Sequence, residues 1–221
     1  MVCRGSVSFL LDAGSGNGKN MVAFRDSNRG IAIGTDFSSR LCEISMNIGF
    51  ETVTADVMDL PYRSNSFDAV LGIAVIHHIS TEERRLRFLS ECIRVLTVGG
   101  RMLIYAWAFE QSAPSPSSRQ GTKKKVEGVQ EEEGESNTRG ADDVQKDEGD
   151  GGGRSKHRFK KQDVFVPWTV RGESDLVVDR YCHVFRKGEI DALIRRIPGR
   201  GVDINEVYYD TGNWCIIATK R

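Results

Sequence analysis

The sequence predicts an α/β fold: a mostly parallel seven-stranded sheet with helices on both faces and an antiparallel hairpin at one edge. Three observations carry this. From residue 6 to residue 111, short apolar runs alternate with longer mixed segments, the pattern of strands joined by helical crossovers. A glycine-rich turn directly follows the first apolar run, as at a strand-to-helix turn that approaches a ligand. Near the end of the chain, two apolar runs are joined by only Asp210, Thr211, Gly212 and Asn213, the link of a hairpin.

In chain order, residues 6–11, 31–35, 51–55, 69–74 and 101–107 read as the five buried strands. Residues 82–96 read as a helix, because Leu86, Leu89, Ile93 and Leu96 recur at helical spacing. Thr81 can cap it, and Glu82 and Glu83 fall in the first turn, where the helix dipole favours anions. Residues 188–197 read as a second helix, and 202–209 and 214–219 as the two hairpin strands. Residues 112–157 differ. Ser, Gly, Glu, Lys and Asp dominate there, with the runs 123–125, 131–133 and 151–153. Such a stretch cannot bury enough apolar area to offset its ordering entropy. The chain is therefore read as one domain, 1–221, with a disordered low-complexity insert at 112–157.

Bulk properties narrow the class. With 31 basic and 31 acidic residues the formal charge is zero, so any contact with nucleic acid rests on a local patch or a partner. The five cysteines form no C-x-x-C pair; a disulfide framework or a cysteine zinc site is not expected, and no metal ligands are assigned. No apolar run is long enough to cross a bilayer, and residues 1–8 lack the regions of a signal peptide. The expected location is cytoplasmic, possibly also nuclear.

The run LLDAGSGNGK, residues 10–19, is the strongest local signal. An apolar strand ends in Asp12, and Gly14, Gly16 and Gly18 let the backbone turn sharply and approach a ligand. The spacing G-x-G-x-G after a strand-terminal acid differs from the G-x-G-x-x-G of nicotinamide sites and resembles the first motif of class I, Rossmann-like methyltransferases, which implies S-adenosylmethionine. In that reading Asp12 orders the loop and attracts the methionine ammonium. Asp36, ending the second strand, can accept both ribose hydroxyls. Asp56, after the third, can read the adenine edge together with the Val57 backbone. Residues 74–78, starting at Ala74, form the floor beside the sulfonium.

Longer strings narrow the family. AVIHHISTEERR (74–85), LIYAWAFEQ (103–111), QDVFVPW (162–168), RYCHVFRKGEI (180–190) and YYDTGNWCII (208–217) resemble the eukaryotic tRNA carboxymethyluridine methyltransferases. The methyltransferase domain of the alkB-homologue type is most similar. The resemblance implies methyl esterification of 5-carboxymethyluridine at the wobble position, with the tRNA anticodon loop and a small zinc-binding activator subunit as partners and no membrane. It also implies several tens of mostly helical residues ahead of the first strand, so this N-terminal cap is read as missing. Ser15 stands where the family usually has Cys, and Val98 where a Pro precedes Gly99-Gly100.

The chemistry sets the acceptor requirements. A carboxylate with a pKa of ~4 is already ionised at neutral pH, so no general base is needed. The site must align the reactants, exclude water and hold an anion. His77, His78, His183 and Arg186 are the candidates for the anion, with Trp107 and Trp168 for base stacking. Trp214 is assigned to the core. Arg84, Arg85, Arg87 and Arg94 are read as a basic helix face suited to phosphates. Two rival readings are a small-molecule S-adenosylmethionine-dependent methyltransferase and a truncated paralogue that keeps the fold with weak or no turnover.

Overall fold

Eleven strands and four α-helices make up the described part of the chain, which is residues 7–27, 30–111, 144–147, 156–170, 176–199 and 201–221 of this computed structural model. The strands are β1 (Phe9–Ala13), β2 (Ile31–Asp36), β3 (Glu51–Thr54), β4 (Phe67–Ile73), β5 (Leu96–Trp107), β6 (Val144–Asp147), β7 (Lys156–Phe159), β8 (Asp163–Val170), β9 (Leu176–His183), β10 (Val202–Asp210) and β11 (Asn213–Lys220). The helices are α1 (Lys19–Asp26), α2 (Ser39–Asn47), α3 (Glu82–Val95) and α4 (Glu189–Arg195), with a 3-10 turn at Ile76–His78. Among the described residues, no helix is long and apolar enough to cross a membrane.

The main sheet has seven strands in the order β10-β11-β5-β4-β1-β2-β3. β3, β2, β1, β4 and β5 pair in parallel. β11 then pairs antiparallel with β5, and β10 with β11 at the edge. The expected architecture is therefore present, with the hairpin where the four-residue link placed it. The strand order reverses beside β1, so the ends of β1 and β4 flank the crevice where such sheets bind ligands.

The elements form for local reasons. Thr81 caps α3 by accepting from the Arg84 N–H at 3.3 Å, and Ser38 caps α2 by accepting from Leu41 N–H at 3.4 Å. Leu89, Ile93 and Leu96 are buried as the helical spacing requires, together with Phe88. They pack with Leu11, Val70, Met102, Ile104 and Ile216 of the sheet and Ile190, Leu193 and Ile194 of α4. On the other face Leu10, Ala69 and Leu71 meet Phe24 of α1. Truncating one of the fully buried leucines or isoleucines to Ala would cost about 2–5 kcal/mol.

Several boundaries differ from the sequence reading. β1 runs on to Ala13, and β4 begins at Phe67. β5 begins at Leu96 because its first residues still pair with β4, across a register shift between Phe67 and Ala69 that the Val98-Gly99-Gly100 stretch accommodates. A second antiparallel pair, β8 with β9, was not anticipated. Its signal was the alternation of buried Val164 and Val166 with exposed Phe165, obscured by Pro167 inside the strand. Pro is tolerated in a strand only where no neighbour needs its N–H, as in a two-stranded ribbon. Most of the segment 112–157 lies outside the described residues. Its described pieces include β6, which pairs antiparallel with β7.

Candidate cofactor and acceptor site

The glycine run turns the chain from β1 into α1. Gly14, Gly16 and Gly18 all have positive φ, at 89°, 55° and 82°, where a side chain is strained. At Gly14 a Cβ would also lie 2.2 Å from Val75 Cγ2, whereas at Gly16 nothing stands within 4 Å. The first glycine thus packs the loop on the segment after β4, and the second leaves open space over bare backbone. The loop is held by its N–H groups: Gly14 and Ser15 donate to Thr35 O at 2.6 and 3.0 Å, and Gly16 donates to Asp36 Oδ2 at 2.9 Å. Asp36 Oδ1 accepts from Ser38 N–H at 2.9 Å. One carboxylate therefore ties the loop to the start of α2 and retains further lone pairs.

Asp12 is fully buried, and neither of its carboxylate oxygens has a hydrogen-bond partner at normal geometry, the Asn20 side chain being the nearby donor that partly relieves it. Burial, opposed by the Asn20 side chain and reinforced by the charge of Asp36, pushes its carboxyl up to about 7. An unpaired buried acid is costly. It marks a place for a cationic partner, and the ammonium of S-adenosylmethionine is such a group. The open space at Gly16 and the orphaned Asp12 together fit that cofactor. Asp56, two residues beyond β3, accepts from Met58 N–H at 2.9 Å, an Asx-type turn that presents the backbone of half-buried Val57.

The segment after β4 forms the far wall. Ala74 is a non-glycine residue at φ 62°, a strained conformation of the kind that clusters at functional sites. Its N–H donates to Tyr105 O at 3.1 Å. The 3-10 turn then buries His77 and leaves His78 exposed. His77 stacks on Trp107 with ring centroids 5.3 Å apart, and accepts from the Trp107 N–H at 3.4 Å. Burial, and then the charges of His78 and Arg180, hold His77 well below the usual histidine range. The ring nitrogens of His78 are also desolvated, which lowers its pKa although the Tyr181 carbonyl, 3.1 Å from Nδ1, opposes the change. Two neutral imidazoles carry no charge to offer an anion, so any part they take in holding it is as hydrogen-bond donors.

The cation lies elsewhere. Arg180 of β9 stands over the Trp168 ring, 3.7 Å from its centroid. It forms no ion pair with a described residue, and its Nε is buried without a partner. It is close enough to His77 and His78 to depress both. Sequence reasoning missed Arg180 because the β8–β9 ribbon that brings it here was itself missed. Trp168 is correspondingly a platform for Arg180.

His183 has a different task from the one expected. Its two ring nitrogens lie 2.8 Å from Asp163 Oδ1 and 2.6 Å from Glu189 Oε1, so it is committed to two carboxylates that tie β8 to α4 and cannot receive a third. Burial lowers its pKa, but these two hydrogen bonds outweigh that and raise it above 6.5. A raised histidine contributes stability that is fully present below its unfolded value and is lost as pH rises through the folded one. The melting temperature of His183→Asn should therefore fall short of the parent most below about pH 6.5 and converge with it at higher pH. A deficit independent of pH would show that the charge on His183 is immaterial. Arg186 is exposed, 4.3 Å above the Phe109 ring and donating to Gln162 Oε1 at 3.3 Å.

The basic helix face is also corrected. Arg85 is buried and donates to Ile79 O at 3.0 Å; Arg84 reaches Met58 Sδ, and Arg87 donates to Met58 O at 2.9 Å. Arg94 is bound to Glu91, Tyr62 O and Leu60 O. These arginines knit the segment after β3 onto α3. Trp214 packs partly against the core and donates from Nε1 to Glu110 Oε2 at 2.9 Å. An open cavity of about 210 Å³ lined by Arg94, Lys220 and Arg221 lies at the opposite rim. There Lys220 donates to Leu96 O and Arg221 to Asp203, so both charges are already engaged.

Known proteins resemble this arrangement. Residues 11–104 match the family described as "Methyltransferase domain". The chain is 32% identical to the tRNA (carboxymethyluridine(34)-5-O)-methyltransferase of Schizosaccharomyces pombe, over 96% of this chain and 80% of that protein. It is 33% identical to the tRNA (carboxymethyluridine(34)-5-O)-methyltransferase alkbh8 of Xenopus tropicalis, over 96% of this chain but only 35% of that protein. The chain thus spans about a third of the vertebrate relative. Among solved structures, a S-adenosylmethionine-dependent methyltransferase from Clostridium acetobutylicum superposes with a TM-score of 0.63 at 12% identity, over 96% of this chain and 83% of that one, which shows the shared fold.

Proposed function

We propose, because this chain belongs to the family of the tRNA (carboxymethyluridine(34)-5-O)-methyltransferases, that it methylates the carboxylate of 5-carboxymethyluridine at the wobble position of tRNA. When bound, S-adenosylmethionine supplies the methyl group from its sulfonium. Asp12 would hold the ammonium, Asp36 the ribose, and Asp56 with the Val57 backbone the adenine edge, while the loop from Gly14 to Gly18 lies along the cofactor. The Ala74 turn forms the floor. Trp107, stacked on neutral His77, screens the acceptor side from water and offers a surface to a base.

The observation that carries the acceptor assignment is Arg180, an unpaired cation on an indole platform beside the two histidines. It suits an anionic acceptor and has no task toward a quinone or sterol, so the tRNA reading is preferred over the small-molecule one. Family membership further supports a small zinc-binding activator as partner. Exposed Phe37, Ile44, Met46 and Val53, on α2 and the segments beside it, are large apolar groups that such a partner would cover.

The test is methyl-ester formation on tRNA carrying 5-carboxymethyluridine, with and without the activator. Product should form with that tRNA and not with tRNA bearing unmodified uridine. Product on neither would sink the substrate assignment. In parallel, calorimetry on Asp36→Ala should show S-adenosylmethionine affinity reduced by about 1.5–3 kcal/mol, the range for hydrogen bonds involving a charged group. Unchanged affinity would remove Asp36 from the ribose role.

A further inference from the structure

We propose that His77, His78 and Cys182 form a binding site for one divalent metal ion of the zinc class. The 3-10 turn and β9 place one ligand atom from each residue so that all three lie within 4.8 Å of one another. His78 Nδ1 and Cys182 Sγ are 3.5 Å apart. Zinc–sulfur and zinc–nitrogen bonds of about 2.3 and 2.0–2.1 Å at a tetrahedral angle give an edge of about 3.5 Å, so this pair already has the ligand separation for one ion, which would replace the contact of His78 Nδ1 with the Tyr181 carbonyl. No separation exceeds that edge by more than about 1.3 Å, within reach of a side-chain rotation.

The donor set selects the ion. Two imidazoles and a thiol favour zinc, cobalt or copper over magnesium or calcium, which prefer oxygen ligands. Three protein ligands leave one tetrahedral position open. His77 and Cys182 are buried, while exposed His78 gives the ion a path from solvent. His77 Nδ1 accepts the Trp107 N–H, so it carries a lone pair. The long 3.4 Å contact from Trp107 N–H to its Nδ1 is the interaction a metal bond would replace. Binding must expel the Cys182 proton. The nearby Arg180 charge is unfavourable to a dication but favours the thiolate that forms. The site stands whatever the acceptor is. The sequence offered no sign of it, because Cys182 lies about a hundred residues from the histidines and no C-x-x-C pair accompanies it.

The experiment is titration of the full chain, chelator-treated and kept reduced, with Co²⁺ and then Zn²⁺. One equivalent of Co²⁺ should give the visible bands of a tetrahedral ion and a near-ultraviolet thiolate-to-cobalt charge-transfer band, both bleached by Zn²⁺. Cys182→Ser should abolish the charge-transfer band. His78→Gln should weaken binding by at least roughly 10–100-fold, since even outer-shell partners of a metal ligand are worth that much. His78→Gln keeps every cysteine, so it reads the site even if Cys182→Ser fails to fold. Absence of the charge-transfer band in the parent, its persistence in a folded Cys182→Ser protein, or unchanged affinity in His78→Gln would each overturn the proposal.

Discussion

Arg94→Ala is expected to destabilise the chain by about 3 kcal/mol, the lower end of the range for breaking a buried ion pair from one side. Glu91, on α3, is 4% exposed. Its carboxylate takes Arg94 Nε at 2.8 Å and an Arg94 terminal nitrogen at 2.7 Å, plus the Leu60 N–H at 2.9 Å. Arg94 in turn donates to Tyr62 O and Leu60 O. Removing it leaves a buried acid with one donor and takes a donor from two carbonyls, of which Leu60 O keeps the Tyr62 N–H at 2.8 Å. For a chain of this size the loss corresponds to a fall of about 6–12 °C in melting temperature. Burial works against the Glu91 charge, but Arg94 and the Leu60 N–H hold its pKa below the usual carboxylate range. The depressed pKa means that the pair stabilises above the ordinary glutamate value and weakens as pH falls through the folded one. Replacing both residues by leucine should recover part of the loss, because no charge is then left buried. A melt of Arg94→Ala within about 1 °C of the parent would show that the pair contributes nothing. Since Asp56 and Val57 belong to the segment this pair fastens, cofactor affinity should fall with stability.

That segment also shows where sequence reading succeeds. Each parallel strand except β3, whose Glu-Thr-Val-Thr is largely exposed, carries its own apolar run, and the ligand rim follows from where the runs stop: Asp12, Asp36 and the glycines needed no knowledge of distant contacts. The hairpin was legible because Asp210 to Asn213 leaves no room for a crossover. The arginines of α3 were read as a phosphate-binding face because their spacing places Arg84, Arg87 and Arg94 on one side of the helix. Spacing cannot show that the chain after β3 folds over that side and offers Met58, Leu60 and Tyr62 carbonyls and sulfur to them. His183 was misread for the same reason. Its partners are Asp163, opposite it across the β8–β9 ladder, and Glu189 on the next helix. A histidine's role is set by what faces it, and here both faces were supplied by non-local pairing.

Arg180→Ala should raise the KM for modified tRNA by about 10- to 150-fold, the equivalent of about 1.5–3 kcal/mol for a charge-assisted hydrogen bond. The argument begins with Trp168. A guanidinium stacked on an indole keeps its edge free, and that edge matches a carboxylate in two parallel hydrogen bonds. Half-buried Arg180 has no described acid to satisfy it, so an incoming anion meets an uncompensated charge. In the proposed reaction, methyl transfer turns the carboxylate into a neutral ester, and the attraction therefore weakens as the reaction proceeds. An interaction stronger in the ground state than in the transition state contributes to binding and not to the chemical step. The loss should accordingly appear in KM, with kcat changed little. Arg180→Lys retains charge but loses the fork and the stacking, and should fall between the parent and Arg180→Ala. S-adenosylmethionine affinity measured by calorimetry should stay the same in all three proteins, because the contacts of Arg180 are with Trp168 and the histidines and not with the residues assigned to the cofactor. A KM unchanged in Arg180→Ala, or a fall confined to kcat, would assign the acceptor carboxylate to another cation.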